Sequence, residues 1–244
     1  MNGIGRISTV GILTSFTDPQ IVGPYAIAAG PDGALWFDTD ACGEIGRITT
    51  GGAVSSYGSN CISLAGAAAG PDGGMWFSTG NTLERIQPPP PLLGNAQLEP
   101  QTDYNPDGTA EAFRTTATAD GTLGNMSVYL APGSTASTVV VGVYGNASGH
   151  PGTLLAQGTI AHPVSGNWNQ VSLPAAALTA GKRYWIALLG PSGGGTVRFR
   201  DLCCGDSGPM PSETSAQTTL TSLPTTWRTG TVYANDGPLS AYGN

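Results

Sequence analysis

The sequence predicts an all-β protein in two parts, and three observations carry that reading. Short runs rich in Val, Ile, Thr, Tyr and Trp alternate with Gly-, Pro-, Asn- and Asp-containing turns, and no long stretch keeps a helical period. The segment AAGPDGALWF at 28–37 returns as AAGPDGGMWF at 68–77, an echo at a spacing of 40 residues. A run of four prolines at 88–91 then separates this repeat from a segment of different texture.

The repeat occupies residues 1–88. IGRIST at 4–9 matches IGRITT at 45–50, and a decayed copy, LERIQP, stands at 83–88. Each complete IGRI word is followed by a glycine and a short alternating run, GILTSF at 11–16 and GAVSSY at 52–57. Next come AAGPDG and a Trp-Phe strand. In GPDG the proline presets φ and the last glycine supplies positive φ, so the word reads as a tight turn between antiparallel strands. Each unit of about 40 residues therefore offers four short strands, the mark of a propeller blade. Chain order gives two strands, then four, then three, about two blades in all. Two blades cannot close a ring, so an apolar blade face is expected to lie exposed. It is covered either by further blades of a longer chain or by other copies of this one, three copies making a six-bladed ring.

The pattern IGRIT…P…IAAGPDGALWF resembles the streptogramin B (virginiamycin B) lyase family of propellers over about 85 residues. That resemblance implies a seven-bladed fold and a metal-assisted elimination that opens an ester-linked peptide ring. The family's catalysis uses histidines and an acid on loops at one end of the channel. At the place of one such histidine stands Tyr25, in GPYAI, and in the next repeat Leu64, in SLAGA; residues 1–88 contain no histidine. The lyase chemistry is therefore not expected from this segment.

Residues 89–102 are read as a stiff proline-rich linker. Residues 103–244 carry seven strand-like runs: AEAFRTTAT, NMSVYLAP, TVVVGVYG, TLLAQGTI, WNQVSLP, RYWIALLG and TVRFRD. They predict a jelly-roll-like β-sandwich. The words SVYLAPGSTAS, GHPGTLLAQGTI, GNWNQVSLP and AGKRYWIAL resemble ancillary sandwich domains of extracellular bacterial proteins and glycoside hydrolases.

Composition narrows the function. Charged residues are only 10% of the chain, and the net charge of −7 comes with one lysine and eight arginines. No basic stripe exists to neutralise phosphates, which argues against nucleic acid. No long apolar run suits a membrane span. The low-charge, Gly/Thr/Ser-rich texture suits a secreted or cell-surface protein, although MNGIGRISTVGIL does not read as a signal peptide. Cys42, Cys61, Cys203 and Cys204 allow three pairings. Oxidised, structural cysteines fit an extracellular setting, with Cys42 and Cys61 suited to a bridge between strands and the adjacent pair either to a vicinal disulfide or to two thiols.

Candidate chemistry is sparse. DYNPDG at 103–108 has the oxygen-rich spacing of a calcium loop, with Asp103, Asn105, Asp107 and then Glu111 as ligands to a structural ion. Against it, Arg114 stands where a bidentate glutamate belongs and Pro106 interrupts the loop. The ordinary alternative is a turn opening a strand. Asp38, Asp40 and Glu44, and Asp201 with Asp206, are acid groups without an evident catalytic partner. His150 and His162 each precede proline and read as turn residues. A sugar-binding sandwich would draw on Trp168, Trp185, Trp227, Tyr129, Tyr144, Tyr184 and Tyr233. Tyr184, Trp227 and the same-face pair Arg198 and Arg200 are the ligand-binding candidates. The leading expectation is a non-catalytic extracellular protein that binds a polysaccharide or cell-surface glycan. An enzyme of lyase or polysaccharide-acting type is the runner-up, and a structural spacer the third. No cofactor is expected beyond structural calcium.

Overall fold

The computed structural model describes residues 2–8, 11–39, 44–49, 52–58, 66–70, 73–79, 81–203 and 208–244. It contains strands and no helix among them, so no helix is long and apolar enough to cross a membrane. The chain divides into two compact units, residues 1–90 and 91–244.

Among the described residues the first unit holds nine strands in three antiparallel sheets that do not close into a ring. They are β1 (Ile4–Ile7) with β2 (Leu13–Phe16); β3 (Ile27–Ala29), β4 (Leu35–Asp38), β5 (Glu44–Ile48) and β6 (Val54–Gly58); and β7 (Gly66–Ala69), β8 (Met75–Thr79) and β9 (Thr82–Ile86). This is the two, four, three order that the repeat predicts. The middle sheet is packed on both faces. Phe37, Ile48 and Ile21 meet Ile4 and Phe16 on one side, while Trp36 and Ile45 meet Met75 and Phe77 on the other.

The repeated words have a physical reason. The Asp32 carboxylate of the PDG turn accepts from Trp36 Nε1–H at 3.0 Å and from Arg47 Nε–H at 2.5 Å. One buried acid thus ties the turn, the tryptophan strand and the GRI strand. Gly46 lies against the Phe37 ring, where a Cβ would stand 2.0 Å from the ring, so GRI needs its glycine. In both GPDG turns the first glycine's N–H donates across the hairpin at 2.8 Å, Gly30 to Ala34 and Gly70 to Gly74.

The second unit is a sandwich of two six-stranded antiparallel sheets. Its strands are β10 (Leu93–Asn95), β11 (Gln101–Asn105), β12 (Ala110–Thr116), β13 (Gly121–Leu130), β14 (Thr138–Ala147), β15 (His150–Ala161), β16 (Asn167–Leu178), β17 (Arg183–Leu189), β18 (Val197–Asp201), β19 (Met210–Ser215), β20 (Thr229–Gly237) and β21 (Ala241–Gly243). One sheet runs β10-β21-β13-β18-β11, with β16 also on β13; the other runs β15-β14-β17-β12-β19-β20. All seven expected strands are present. Between the sheets, Val128, Leu130 and Phe199 pack on Phe113, Val141 and Ile186, with Phe113 and Phe199 edge to face at 5.6 Å.

The expected linker at 89–102 is different in the structure. Leu93 is fully buried in the sandwich core, and β10 pairs with β21 at the far end of the chain. The prolines stop at 91, and the apolar Leu92-Leu93 pair that follows joins the sandwich. A second, smaller core covers the outer face of β17. There Trp185, Ala187 and Leu189 meet Leu223 and Trp227 from the connection between β19 and β20. Strand β17 is therefore buried on both faces.

Candidate functional site

The edge strands β11 and β20, one from each sheet, border a cleft of about 770 Å³. Register explains what lines it. Asp103 lies opposite Phe199 and Asn105 opposite Val197, so both point with those core residues into the space between the sheets. Asp201 pairs with Gln101 and shares that inward face. From the facing sheet, Glu111 alternates in phase with the core residue Phe113, and Asp236 comes from β20. At this margin the sandwich fills its interior with carboxylates instead of aliphatic groups.

The carboxylates crowd. One oxygen each from Asp103, Asp201 and Asp236, with the sulfur of Cys203, lie within 4.8 Å of one another. Asp201 is 0% exposed, and neither of its carboxylate oxygens has a hydrogen-bond partner among the described residues. Burial, and then the charges of Asp103, Asp236, Glu111 and Glu99, push its carboxyl up to about 9. Burial pushes Glu111 up to about 8, opposed by a hydrogen bond to Ser212. Ser212 Oγ lies 2.6 Å from Glu111 Oε1 and 2.8 Å from Asp236 Oδ2. A hydroxyl has one proton to give, so the second contact needs a proton on a carboxyl.

The cleft rim is aromatic. Tyr104 points away from the core, opposite Arg198, and is 54% exposed; Tyr233 on β20 is 44% exposed. The Arg198 guanidinium sits over the Tyr104 ring at 5.3 Å and orients it. Asn235 and Thr109 add neutral polar groups to the lining.

Several expected site residues lie elsewhere. Tyr184 is 8% exposed in the main core, where its hydroxyl accepts from the Thr179 N–H. Trp227 is 6% exposed, edge to face with Tyr144 in the outer core. Neither ring can stack on a ligand. Arg200 is occupied by the Glu99 carbonyl and the Thr102 hydroxyl, at 2.8 and 2.9 Å. Arg198 is at the rim, through Tyr104. The expected calcium loop is a strand, β11, followed by a turn. Asp103, Asn105 and Glu111 reach the cleft, but Asp107 turns away to accept the Gly193 N–H. His150 is no free turn residue: its Nδ1 lies 2.6 Å from the buried Glu213 carboxylate. Asp38 accepts two backbone N–H groups, from Tyr25 and Ala26, and so fastens the start of β3. Cys42, Cys61, Cys204, Leu64, Asp40 and Asp206 lie outside the described residues, and no cysteine among the described ones is a free thiol.

Sequence reasoning missed Tyr104 and Asp236, and noted Asp201 without giving it a role. The signal for Asp201 was in VRFRD, where it keeps phase with Val197 and Phe199, an acid on a core face.

The fold is thus that of an all-β protein with propeller-type sheets, a sandwich and an acidic, aromatic cleft. Comparison with known proteins places the first unit. A sequence model of the virginiamycin B lyase family matches residues 1–90. Over 35 residues the chain is 57% identical to a virginiamycin B lyase of Mycolicibacterium smegmatis, covering 14% of this chain and 12% of that protein. A crystal structure of virginiamycin B lyase from Staphylococcus aureus is 31% identical over 35% of this chain and 34% of its own, at a TM-score of 0.30. A streptogramin B lyase structure is 18% identical over 76% of this chain and 58% of its own, at a TM-score of 0.33. The chain spans about an eighth of the curated relative and a third of the first of these structures. The match to the family model ends at residue 90.

Proposed function

We propose that the chain is a non-catalytic extracellular binding protein whose sandwich takes a polysaccharide or cell-surface glycan in the β11–β20 cleft. The observation that carries this reading is the pairing of two exposed tyrosine rings with a polar floor. A pyranose has an apolar C–H face for a ring and hydroxyls for carboxylate and amide groups. The floor is acidic, which favours neutral sugars over uronates by like-charge repulsion. The secreted or cell-surface setting follows from such a ligand. The exposed Ile7, Ile12, Leu13 and Leu83 of the blades suit contact with further blades, and we propose other copies of this chain as their source.

The test is retention of the full chain on a panel of insoluble neutral polysaccharides, beside Tyr104→Ala and Tyr233→Ala. Each variant should bind about tenfold more weakly, the loss expected for a truncated aromatic anchor. No retention on any glycan, or retention that ignores both tyrosines, overturns the reading. A lyase-like activity is the second reading, favoured by the family match of residues 1–90. It predicts turnover of a streptogramin B despite Tyr25 at the histidine's place, and measurable ring opening would put it first.

A further inference from the structure

We infer that Asp103, Asp201 and Asp236 form a calcium site that joins the two sheets of the sandwich beneath the cleft. An acid cluster alone would not suffice, since acids gather on many surfaces without an ion. What distinguishes this one is Asp201, wholly buried, aimed into the cluster, with both oxygens unpartnered among the described residues. A native structure rarely buries a carboxylate without hydrogen bonds unless something else compensates it.

The distances suit calcium. Two oxygens bound to one Ca2+ at about 2.4 Å can be no more than about 4.8 Å apart. The three aspartate oxygens meet that limit as they stand. Magnesium demands near-ideal octahedral geometry, dehydrates reluctantly and is usually held by only one or two carboxylates, so a three-carboxylate site suits it less than calcium. Zinc prefers nitrogen and sulfur, and Cys203, the only sulfur at hand among the described residues, is not a free thiol. Charge points the same way: three carboxylates face one divalent ion. The cleft gives the ion a path and leaves room for water to complete its shell.

The ligand set differs from the linear motif. Asp107, inside DYNPDG, is not a ligand, while Asp201 and Asp236 are, and they come from strands far along the chain. Asp103 and Asp201 belong to one sheet and Asp236 to the other, so the ion bridges them.

The site is tested without any glycan, so its failure is distinct from failure of the binding function. The full chain is freed of metal with chelator, then titrated with CaCl2 by calorimetry, with thermal unfolding in parallel and MgCl2 as the comparison. We expect one Ca2+ per chain, a higher unfolding temperature with Ca2+, and a weaker response to Mg2+. Asp236→Asn and Asp103→Asn should each weaken Ca2+ about 100-fold, while Asp107→Asn should leave it unchanged. Asp103 is partly exposed, so its variant keeps the test valid if a change at a buried position fails to fold. Absence of heat and of thermal shift at millimolar Ca2+ overturns the site. Loss of binding in Asp107→Asn with retention in Asp103→Asn overturns the assignment of ligands.

Discussion

Replacing Asp32 with alanine tests the physical reason for the repeat. Its carboxylate is the acceptor for both the Trp36 indole and the Arg47 guanidinium, and side-chain exposure is 3% for Asp32 and 11% for Arg47. The variant would leave a buried cation uncompensated, about 3 to 5 kcal/mol, and a buried indole N–H unbonded, about 1 to 3 kcal/mol. Both losses follow from one carboxylate and do not simply add, so about 3 to 5 kcal/mol is the expected total. At about 1.4 kcal/mol per tenfold, exchange of the β4 and β5 amides should accelerate by two to three orders of magnitude. Hydrogen exchange read by mass spectrometry suits this, because peptides of β13 and β14 in the sandwich serve as an internal reference. Arg47→Met in the Asp32→Ala background removes the orphaned cation and should recover most of the protection. An acceleration under tenfold, or no recovery in the double variant, would refute the assignment of a buried charge cluster as the blade's tie.

Two further outcomes follow from the cleft and the blades. In chelator, the folded carboxyls of Asp201, near 9, and Glu111, near 8, lie above their unfolded values of about 4. Folding then takes up protons, so their contribution is full below about pH 4 and lost as pH rises through 8 to 9; the unfolding temperature of the metal-free chain should fall between about pH 5 and 9, and a flat or rising profile would contradict the burial argument. If copies of the chain cover one another's exposed blade residues, sedimentation at rising concentration should show a trimer, and Leu13→Lys with Leu83→Lys should return it to monomer; a monomer at every concentration would exclude this.

The sequence made the blades legible because their determinants are local. GPDG closes a hairpin over a few residues, and the Asp32, Trp36 and Arg47 tie falls within one repeat length. Most of the sandwich strands were readable from alternation for the same reason. Alternation fails where coverage is non-local. Along YWIAL it separates Tyr184 from Trp185, but it cannot tell that Leu223 and Trp227 fold over the outer face and bury both sides. Strand β10 was hidden because three residues carry no period, and its partner lies at 241–243. The cleft was half visible. Asp103 was found through a calcium-like spacing that the structure uses differently, since its companions are set by strand order and not by proximity in sequence.

The pairing of β10 with β21 has a mechanical consequence. Leu93 lies opposite Gly243, and the Leu92 N–H donates to the Asn244 side chain, so the two ends of the second unit leave the same end of one short ladder. Tension applied between those ends would peel three residue pairs in succession, like a zipper, instead of shearing them together. A zipper yields at low force, which makes this ladder the first part of the sandwich to open under load. The cluster at Asp103, Asp201 and Asp236 lies on other strands, so β10 could come away with its carboxylates still in place.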